Sequence, residues 1–457
     1  MTRILVTIGP ESANRKSILS FSKYTNLFRL NGSHSDLKWH QNAINLIRKN
    51  CKDAFILMDI PGVKPRTNNL ETIKIDLNEN ILFGKDKKQN SFKGKKIELT
   101  KSLPFFKNEN IKSFSLNDGQ YLFDFKNGNK NYIIGKSRSS FNLLPKKGIN
   151  IPGSKYDEKL QLQIYKEFID RIKELDIDGL GLSFVQTTQL VKDVRKIVPS
   201  MILISKIENS EGLRNNKSII YESDAVMIDR GDLAAEIGFD KLFNAVESIS
   251  INTKSFGKSL IMATENLETM IQRNVPSKSE VMSISHSISI GADCIMLSEE
   301  TAISSMGLNT VKWLKNYLKG SKILYTRNTS LFLRDKRTYL WKMIEELDDL
   351  PILLISKSGY ALSELLSVRP NSDFFLVTDN KKVISNTKFY SGNIKIIKRK
   401  VHDNTPIETV WNVIKIYKNE IFKISRKVAA IYVSKYAKGI KNIRANCVTI
   451  FDKDDFK

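Results

Sequence analysis

Ile202-Leu203-Ile204-Ser205-Lys206-Ile207-Glu208-Asn209 and, a little further on, Ala225-Val226-Met227-Ile228-Asp229-Arg230-Gly231-Asp232 decide how the rest of the chain is read. Each stretch begins as a continuous apolar run and ends in charge, the pattern of a buried strand whose last residues turn polar. Side chains alternate along a strand, so Lys206 and Glu208 share a face. A cation beside a carboxylate at one strand end, with Asp232 after the next, suits a hard divalent metal held next to an anionic substrate. The same residues also fit a structural ion pair capping two strands, and spacing alone leaves these readings level.

The design recurs outward from this stretch. Ile4-Leu5-Val6 leads into Thr7-Ile8-Gly9-Pro10, Leu27-Phe28 into Arg29-Leu30-Asn31, and Phe55 to Met58 into Asp59. Leu180-Gly181-Leu182 leads into Ser183-Phe184, Leu260-Ile261-Met262 into Ala263-Thr264, and Ile295-Met296-Leu297 into Ser298-Glu299-Glu300. Helical stretches lie between them at 39–49, 160–175, 189–198, 239–253 and 279–290. Eight such strands alternating with helices predict an α/β fold, a (β/α)8 TIM barrel, with its active site at the polar strand ends. The alternation breaks between about Thr67 and Gly148, where short runs such as Thr72-Ile73-Lys74-Ile75 are separated by Asn and Gly turns. This reads as a small inserted β-barrel lid domain. A further helix, 308–318, precedes a new α/β pattern with strands at Ile352–Ile355, Phe374–Val377 and Ala429–Val433, expected to form a mostly parallel sheet. The expected divisions are 1–67 with 148–325 for the barrel, 68–147 for the insert and 326–457 for the C-terminal domain.

Bulk properties narrow the function classes. The chain has 457 residues, a formal net charge of +24 and three cysteines, Cys51, Cys294 and Cys447. An odd, scattered cysteine set argues against a disulfide framework or a zinc site and for a reducing compartment. No run is apolar and long enough to span a membrane, and Met1-Thr2-Arg3 leads straight into a strand, so the expected location is cytoplasmic. The positive charge is scattered, without a basic tail or a stacked-aromatic array. It reads as a solvated basic surface that attracts small anions, rather than a nucleic-acid interface.

Taken together, these motifs resemble the pyruvate kinase family. The core motif is carried by Ile204 to Asn209, Glu211-Gly212 and Arg230-Gly231-Asp232-Leu233. Thr7 to Ser12 resembles the opening motif, Arg29-Leu30-Asn31-Gly32-Ser33-His34 the Arg-Leu-Asn-Phe-Ser-His pattern, and Asp59 to Thr67 the next one. Asn117-Asp118-Gly119, Lys147 to Gly153, Ser183-Phe184-Val185, Ala263-Thr264, Leu267 to Met270 and Gly291 to Ser298 follow in the family's order. The departures are Gly32 for Phe, Asp229 for Ala, Ala234-Ala235 for Gly-Ile, Glu265 for Gln and Glu299 for Gly.

The resemblance implies phosphoryl transfer from phosphoenolpyruvate to a nucleoside diphosphate, ADP above all, in a homotetramer. It implies Lys206, Arg29 and Thr264 as catalytic groups. Substrate binding would fall to Gly231, Asp232, Thr264, Lys206 and Ser298, and nucleotide binding to Arg29, Asn31, His34, Arg66 and Lys147. Glu208 and Asp232 would hold Mg²⁺. Asn31, Ser33 and Asp59 would be the remnant of a monovalent-cation site. There Ile60 stands for the usual Thr, and Lys64 replaces a Glu, as in K⁺-independent members. A paralogue acting on another enolpyruvyl or 2-oxo acid, and a non-catalytic regulatory relative, remain alternatives. Ser356-Lys357-Ser358-Gly359, between a strand and a helix, reads equally as a phosphate cradle for an effector and as a plain turn. The stretch Ser434–Gly439, where such a site would be completed, matches poorly.

Overall fold

Eight parallel strands close on themselves: β1 (Arg3–Thr7), β2 (Leu27–Asn31), β3 (Phe55–Ile60), β12 (Gly179–Leu182), β13 (Ile202–Ile207), β14 (Ala225–Asp229), β15 (Ser259–Ala263) and β16 (Cys294–Leu297). All eight are the runs expected from the sequence. The computed structural model describes residues 2–85, 92–321, 350–368, 372–400, 406–423, 425–432 and 447–457. Helices at Leu37–Asn50, Glu158–Ile172, Thr188–Ile197, Phe239–Ser255 and Lys278–Ser289 lie within a few residues of the expected ones. Four of the five starts are fixed by side-chain caps: Asp36, Asp157 and Thr187 each accept from a first-turn N–H, and Ser277 with Glu280 forms a capping box, whereas Phe239–Ser255 follows Gly238 with no side-chain cap.

Inward-pointing Leu5, Leu27, Phe55, Leu57, Ile202, Ile204, Met227, Ile261 and Met296 fill the barrel, so it is a packed core and not a pore. Phe389, from the C-terminal part of the chain, joins this interior fully buried, edge-on to Phe55 at 4.7 Å between ring centroids. Its neighbours fix the same junction: Tyr390 Oη donates to Gly257 O at 2.7 Å, and Ser391 Oγ to Asp293 Oδ1 at 2.9 Å.

The insert contains β4 (Ile73–Ile75), β5 (Asn80–Gly84), β6 (Lys95–Glu98), β7 (Ser113–Leu116), β8 (Tyr121–Gly128), β9 (Tyr132–Ser137) and β10 (Phe141–Leu143), and β11 (Ile149–Asn150), on the returning chain, pairs with β7. Six of these form one sheet in the order β11-β7-β8-β9-β5-β6, and β4 pairs with β10. They enclose their own core, with Phe83, Phe114 and Phe123 in mutual ring contact. The two connections to the barrel run side by side: Thr67 N–H donates to Lys147 O at 2.8 Å, and Ile149 N–H to Pro65 O at 3.0 Å.

The C-terminal sheet has the order β19-β18-β17-β20-β21, from β17 (Ile352–Ile355), β18 (Phe374–Thr378), β19 (Ile394–Lys398), β20 (Lys427–Tyr432) and β21 (Cys447–Asp452). Only β20–β21 pairs antiparallel, so the sheet is mostly parallel as expected. In the Ser356–Gly359 turn, Ser356 Oγ accepts from Gly359 N–H at 3.1 Å and Ser358 Oγ from Tyr360 N–H at 3.4 Å. Residues 326 and 434–439 lie outside the described residues.

Candidate functional site

Parallel strands deliver their C-terminal ends to one rim, and the charged residues gather there. Asn31 and Asp59 are register partners, as are Asp59 and Gly181. A Cβ on Gly181 would lie 2.1 Å from Asp59 Oδ1, so glycine is what leaves room for that carboxylate. Arg29 lies over Asp59, with Nε and Nη2 at 2.9 and 2.8 Å from Oδ2, while Nη1 donates to Thr7 Oγ1 at 3.0 Å. Lys206 Nζ is 2.5 Å from Glu208 Oε1, 3.6 Å from Asp59 Oδ2 and 3.7 Å from Asp229 Oδ2. Lys206 and Glu208 therefore do share a face. Glu208 Oε2 accepts the Phe184 N–H at 2.7 Å, while Oε1 has no partner in hydrogen-bond geometry among the described residues, despite the ammonium beside it.

Asp232 lies on the helix Arg230–Ile237, which Asp229 caps, at the end of β14. Thr264 Oγ1 donates to Asp229 Oδ1 at 3.0 Å or to Ala263 O at 2.8 Å, and accepts the Gly231 N–H at 3.3 Å. Phe184, Thr264 and Glu265 have φ of 60°, 59° and 50°, so the turns after β12 and β15 hold non-glycine residues in the left-handed region. Such strain gathers where geometry must be held against local preference. Ser298 follows β16, and its N–H donates to Glu300 Oε2 at 2.6 Å.

The electrostatics of this rim follow from burial and ion pairing. Burial alone would lower the Lys206 pKa, but Glu208, Asp59 and Asp229 outweigh it and hold it above the ordinary lysine value. Asp59 is the converse: burial would raise it, yet Arg29 and Lys206 keep it below the usual carboxylate range. Glu208 is pushed up to about 8 by burial first and then by Asp229 and Asp232, against Lys206. Asp232 is pushed up to about 6 by burial, Asp118 and Asp229, against Lys64. The contacting ion pairs join five carboxylates, of Asp59, Asp118, Glu208, Asp229 and Asp232, to three cations, those of Arg29, Lys64 and Lys206. With all five carboxylates ionised, the cluster is two positive charges short. Glu208, Asp229 and Asp232 each offer an oxygen within 4.8 Å of the others.

Lys64, expected to supply the charge that K⁺ brings to a site of Asn31, Ser33 and Asp59, ion-pairs with Asp232 Oδ1 at 2.5 Å and Asp118 Oδ1 at 2.7 Å, and not with Asp59. Its stem passes over Gly148, where a Cβ would lie 2.5 Å from Cε. Asp59 already contacts Arg29 and Lys206, whereas Asp118 and Asp232 hold the balance of negative charge at the seam with the insert. Ser33 is likewise not on the strand face with Arg29 and Asn31: β2 stops at Asn31, whose Oδ1 accepts the Ser33 N–H at 3.1 Å, and Ser33 is exposed.

Of the remaining candidates, His34 lies near several cations. Partial burial, then Arg66, Arg29 and Lys146, lower its pKa. Arg66 Nη1 donates to Lys146 O at 3.1 Å, and the Lys147 N–H donates to Thr67 Oγ1 at 3.1 Å, which puts both residues at the root of the insert.

Sequence reasoning missed Glu236. It is fully buried, with Oε1 accepting from Asn150 Nδ2 at 3.0 Å and Tyr156 Oη at 2.9 Å, and Oε2 without a partner among the described residues. Its one sequence signal was a helical i+4 spacing from Asp232. Burial, with the charge of Asp232, pushes it up from 4.5 to about 7 against Lys64, Tyr156 and Asn150. A carboxyl raised by folding penalises the fold once ionised. The penalty is full above about pH 7 and gone below about 4.5. Glu236→Gln keeps the acceptor and removes the charge. It should stabilise at pH 8 by on the order of 2 kcal/mol and change little at pH 4.5. Thermal melts at both pH values check this, and an unchanged or lower midpoint at pH 8 contradicts it.

Comparison with known proteins agrees with this geometry. Residues 1–311 match the family model described as pyruvate kinase, barrel domain. A pyruvate kinase of Encephalitozoon cuniculi is 31% identical over 324 residues, covering 69% of this chain and 74% of the relative. A pyruvate kinase of Thermoplasma acidophilum is 26% identical over 423 residues, 86% of this chain and 72% of the relative. A crystal structure of a pyruvate kinase from Cryptosporidium parvum superposes with a TM-score of 0.79 at 25% identity, over 99% of this chain and 96% of that one. With a barrel that closes through eight strands, a charged rim built from the motif residues and a family match across residues 1–311, this chain belongs to the pyruvate kinase family.

Proposed function

We propose that the chain transfers the phosphoryl group of phosphoenolpyruvate to ADP, giving pyruvate and ATP, with Mg²⁺ and without a requirement for K⁺. The observation that carries this reading is the rim cluster with two more carboxylates than cations, centred on Lys206. Phosphoryl transfer needs positioning and charge neutralisation more than covalent chemistry. Mg²⁺ fits the donor set, since Glu208 and Asp232 offer hard oxygens within reach of one ion. When bound, the metal supplies positive charge to the substrate oxygens.

The chain's own groups do the rest. Lys206, permanently charged, neutralises the moving phosphoryl group and the enolate left behind. Arg29 grips the phosphate in a fork. Gly231 and Asp232 offer N–H groups at a helix N-terminus to the substrate carboxylate, with Ser298 two strands along the rim, after β16. Thr264 relays a proton to the enolate through its hydroxyl. Arg29, Asn31, His34, Arg66 and Lys147 hold the nucleotide between barrel and insert. The insert, hinged on its paired connections, closes as a lid and excludes water, because hydrolysis is the competing fate. The barrel, lid and C-terminal parts divide at 67/68, 147/148 and 325/326, and the enzyme acts as a cytoplasmic homotetramer.

The proposal on K⁺ rests on charge already in place. Ile60 lacks a ligand oxygen, Asp59 is matched by Arg29 and Lys206, and Lys64 brings an ammonium to Asp232. A coupled assay of phosphoenolpyruvate, ADP and Mg²⁺, with pyruvate and ATP both measured, tests the reaction. Run in tetramethylammonium and in K⁺, it tests the cation. Equal rates are expected, and collapse without K⁺ overturns the K⁺ claim. Lys64→Glu is expected to lower activity and to make what remains depend on K⁺. Formation of neither product by the native chain overturns the reaction itself.

A further inference from the structure

We propose that Asp229 is a third carboxylate ligand of the divalent-metal site, which makes this chain bind its metal tightly before any substrate arrives. The proposal rests on the metal reading of Glu208 and Asp232 and goes beyond it, because the family usually has Ala at this position. Asp229 is the last residue of β14, paired in register with Ala263, and is 7% exposed. Its backbone is therefore set by the barrel and not by a loop. Oδ1 is occupied by the Thr264 hydroxyl at 3.0 Å and a long contact from the Asp232 N–H at 3.5 Å. Among the described residues Oδ2 has the Lys206 ammonium alone, at 3.7 Å, beyond hydrogen-bond range.

The three carboxylates of Glu208, Asp229 and Asp232 lie within 4.8 Å of one another. Two oxygens bound to one Mg²⁺ at about 2.1 Å stand at most about 4.2 Å apart, so a small side-chain adjustment brings all three into one shell. A second observation points to a missing cation. Glu208 is fully buried, and its Oε1 makes no hydrogen bond among the described residues, not even to the Lys206 ammonium 2.5 Å away, although a buried carboxylate oxygen ordinarily takes one. Asp229 would be hard to retain as a mere cap. A helix start is capped equally well by Asn or Ser, which would add no charge to a cluster already rich in carboxylates. A third anionic oxygen donor selects for hard divalent cations, Mg²⁺ or Mn²⁺. It also leaves fewer positions of the roughly octahedral shell for water and substrate oxygens.

The test is metal binding by the substrate-free protein, with Mn²⁺ as the probe and free Mn²⁺ counted by electron paramagnetic resonance. Four variants are compared: Asp229→Ala, Asp229→Asn, Glu208→Gln and Asp232→Asn. The proposal expects Asp229→Ala to weaken Mn²⁺ binding by about tenfold or more. Asp229→Asn, which keeps the Thr264 contact and the helix cap, should weaken it too, by less. If both Asp229 variants bind Mn²⁺ as tightly as the native protein while Glu208→Gln and Asp232→Asn bind it more weakly, Asp229 is a cap and the proposal falls. Tighter binding by Asp229→Ala overturns it as well. If Glu208→Gln and Asp232→Asn leave binding unchanged, the metal reading of the rim fails first.

Discussion

Lys206→Met should reduce turnover by a factor of about 10²–10³ or more while leaving substrate binding largely intact. Its ammonium touches Glu208 and stands within 4 Å of Asp59 and Asp229, so it sits where the charged ends of β3, β13 and β14 converge. The carboxylates keep it protonated across the working pH range, which suits a fixed positive charge and not a base. Interactions that strengthen only in the transition state appear in kcat, and those present throughout appear in KM. The expected signature is therefore a collapse of kcat with little change in KM. Removing a buried cation also leaves its partners unpaired, at a cost of about 3–5 kcal/mol, so circular dichroism and a melt should accompany the kinetics. A folded variant within a factor of about three of native turnover would remove Lys206 from the chemistry.

Glu208→Gln and Asp232→Asn should each shift the Mg²⁺ activation curve to higher concentration by about tenfold or more. Both substitutions keep size and hydrogen-bonding capacity, so the change is mainly one of charge. The two differ in an informative way. Glu208 Oε2 also holds the Phe184 N–H in a left-handed turn, whereas Asp232 holds Lys64 at the root of the insert. Asp232→Asn should therefore loosen Lys64 as well as the metal, and Glu208→Gln should not. Steady-state rates measured across a Mg²⁺ titration separate a shifted midpoint from a lowered plateau. Curves that overlay the native one in both variants would make these carboxylates structural.

The barrel was legible because each strand carries an apolar run with a polar end, a pattern set locally by burial. The pairing of Lys206 with Glu208 was legible for the same reason, since alternation along one strand fixes it. What escaped depends on where strands stop and on which carboxylates meet across elements. Arg29, Asn31 and Ser33 alternate in sequence, but β2 ends at Asn31 and the alternation has no meaning beyond it. Lys64 had several acidic partners in principle, and only the fold shows that Asp59 is already matched while Asp118 and Asp232 are not. Gly32, odd in sequence, has a plain cause in space. A Cβ there would lie 2.3 Å from the Phe168 ring, so the aromatic comes from the neighbouring helix instead. Glu236 looked like any acidic residue on a helix, because nothing local indicates that both Asn150 and Tyr156 fold back onto it.

Phe389 gives the molecule a keystone. The barrel's interior layers are completed at one end by a ring that belongs to a segment nearly a hundred residues beyond the last barrel strand in the chain. The barrel is therefore not a module that evolution or an engineer can cut out at its last helix. A truncation there opens a hole above Phe55 and strips Tyr390 and Ser391 from their partners on the barrel. The two parts share one hydrophobic interior at that point, so strain at the C-terminal end of the chain reaches the floor beneath the reaction rim by direct contact.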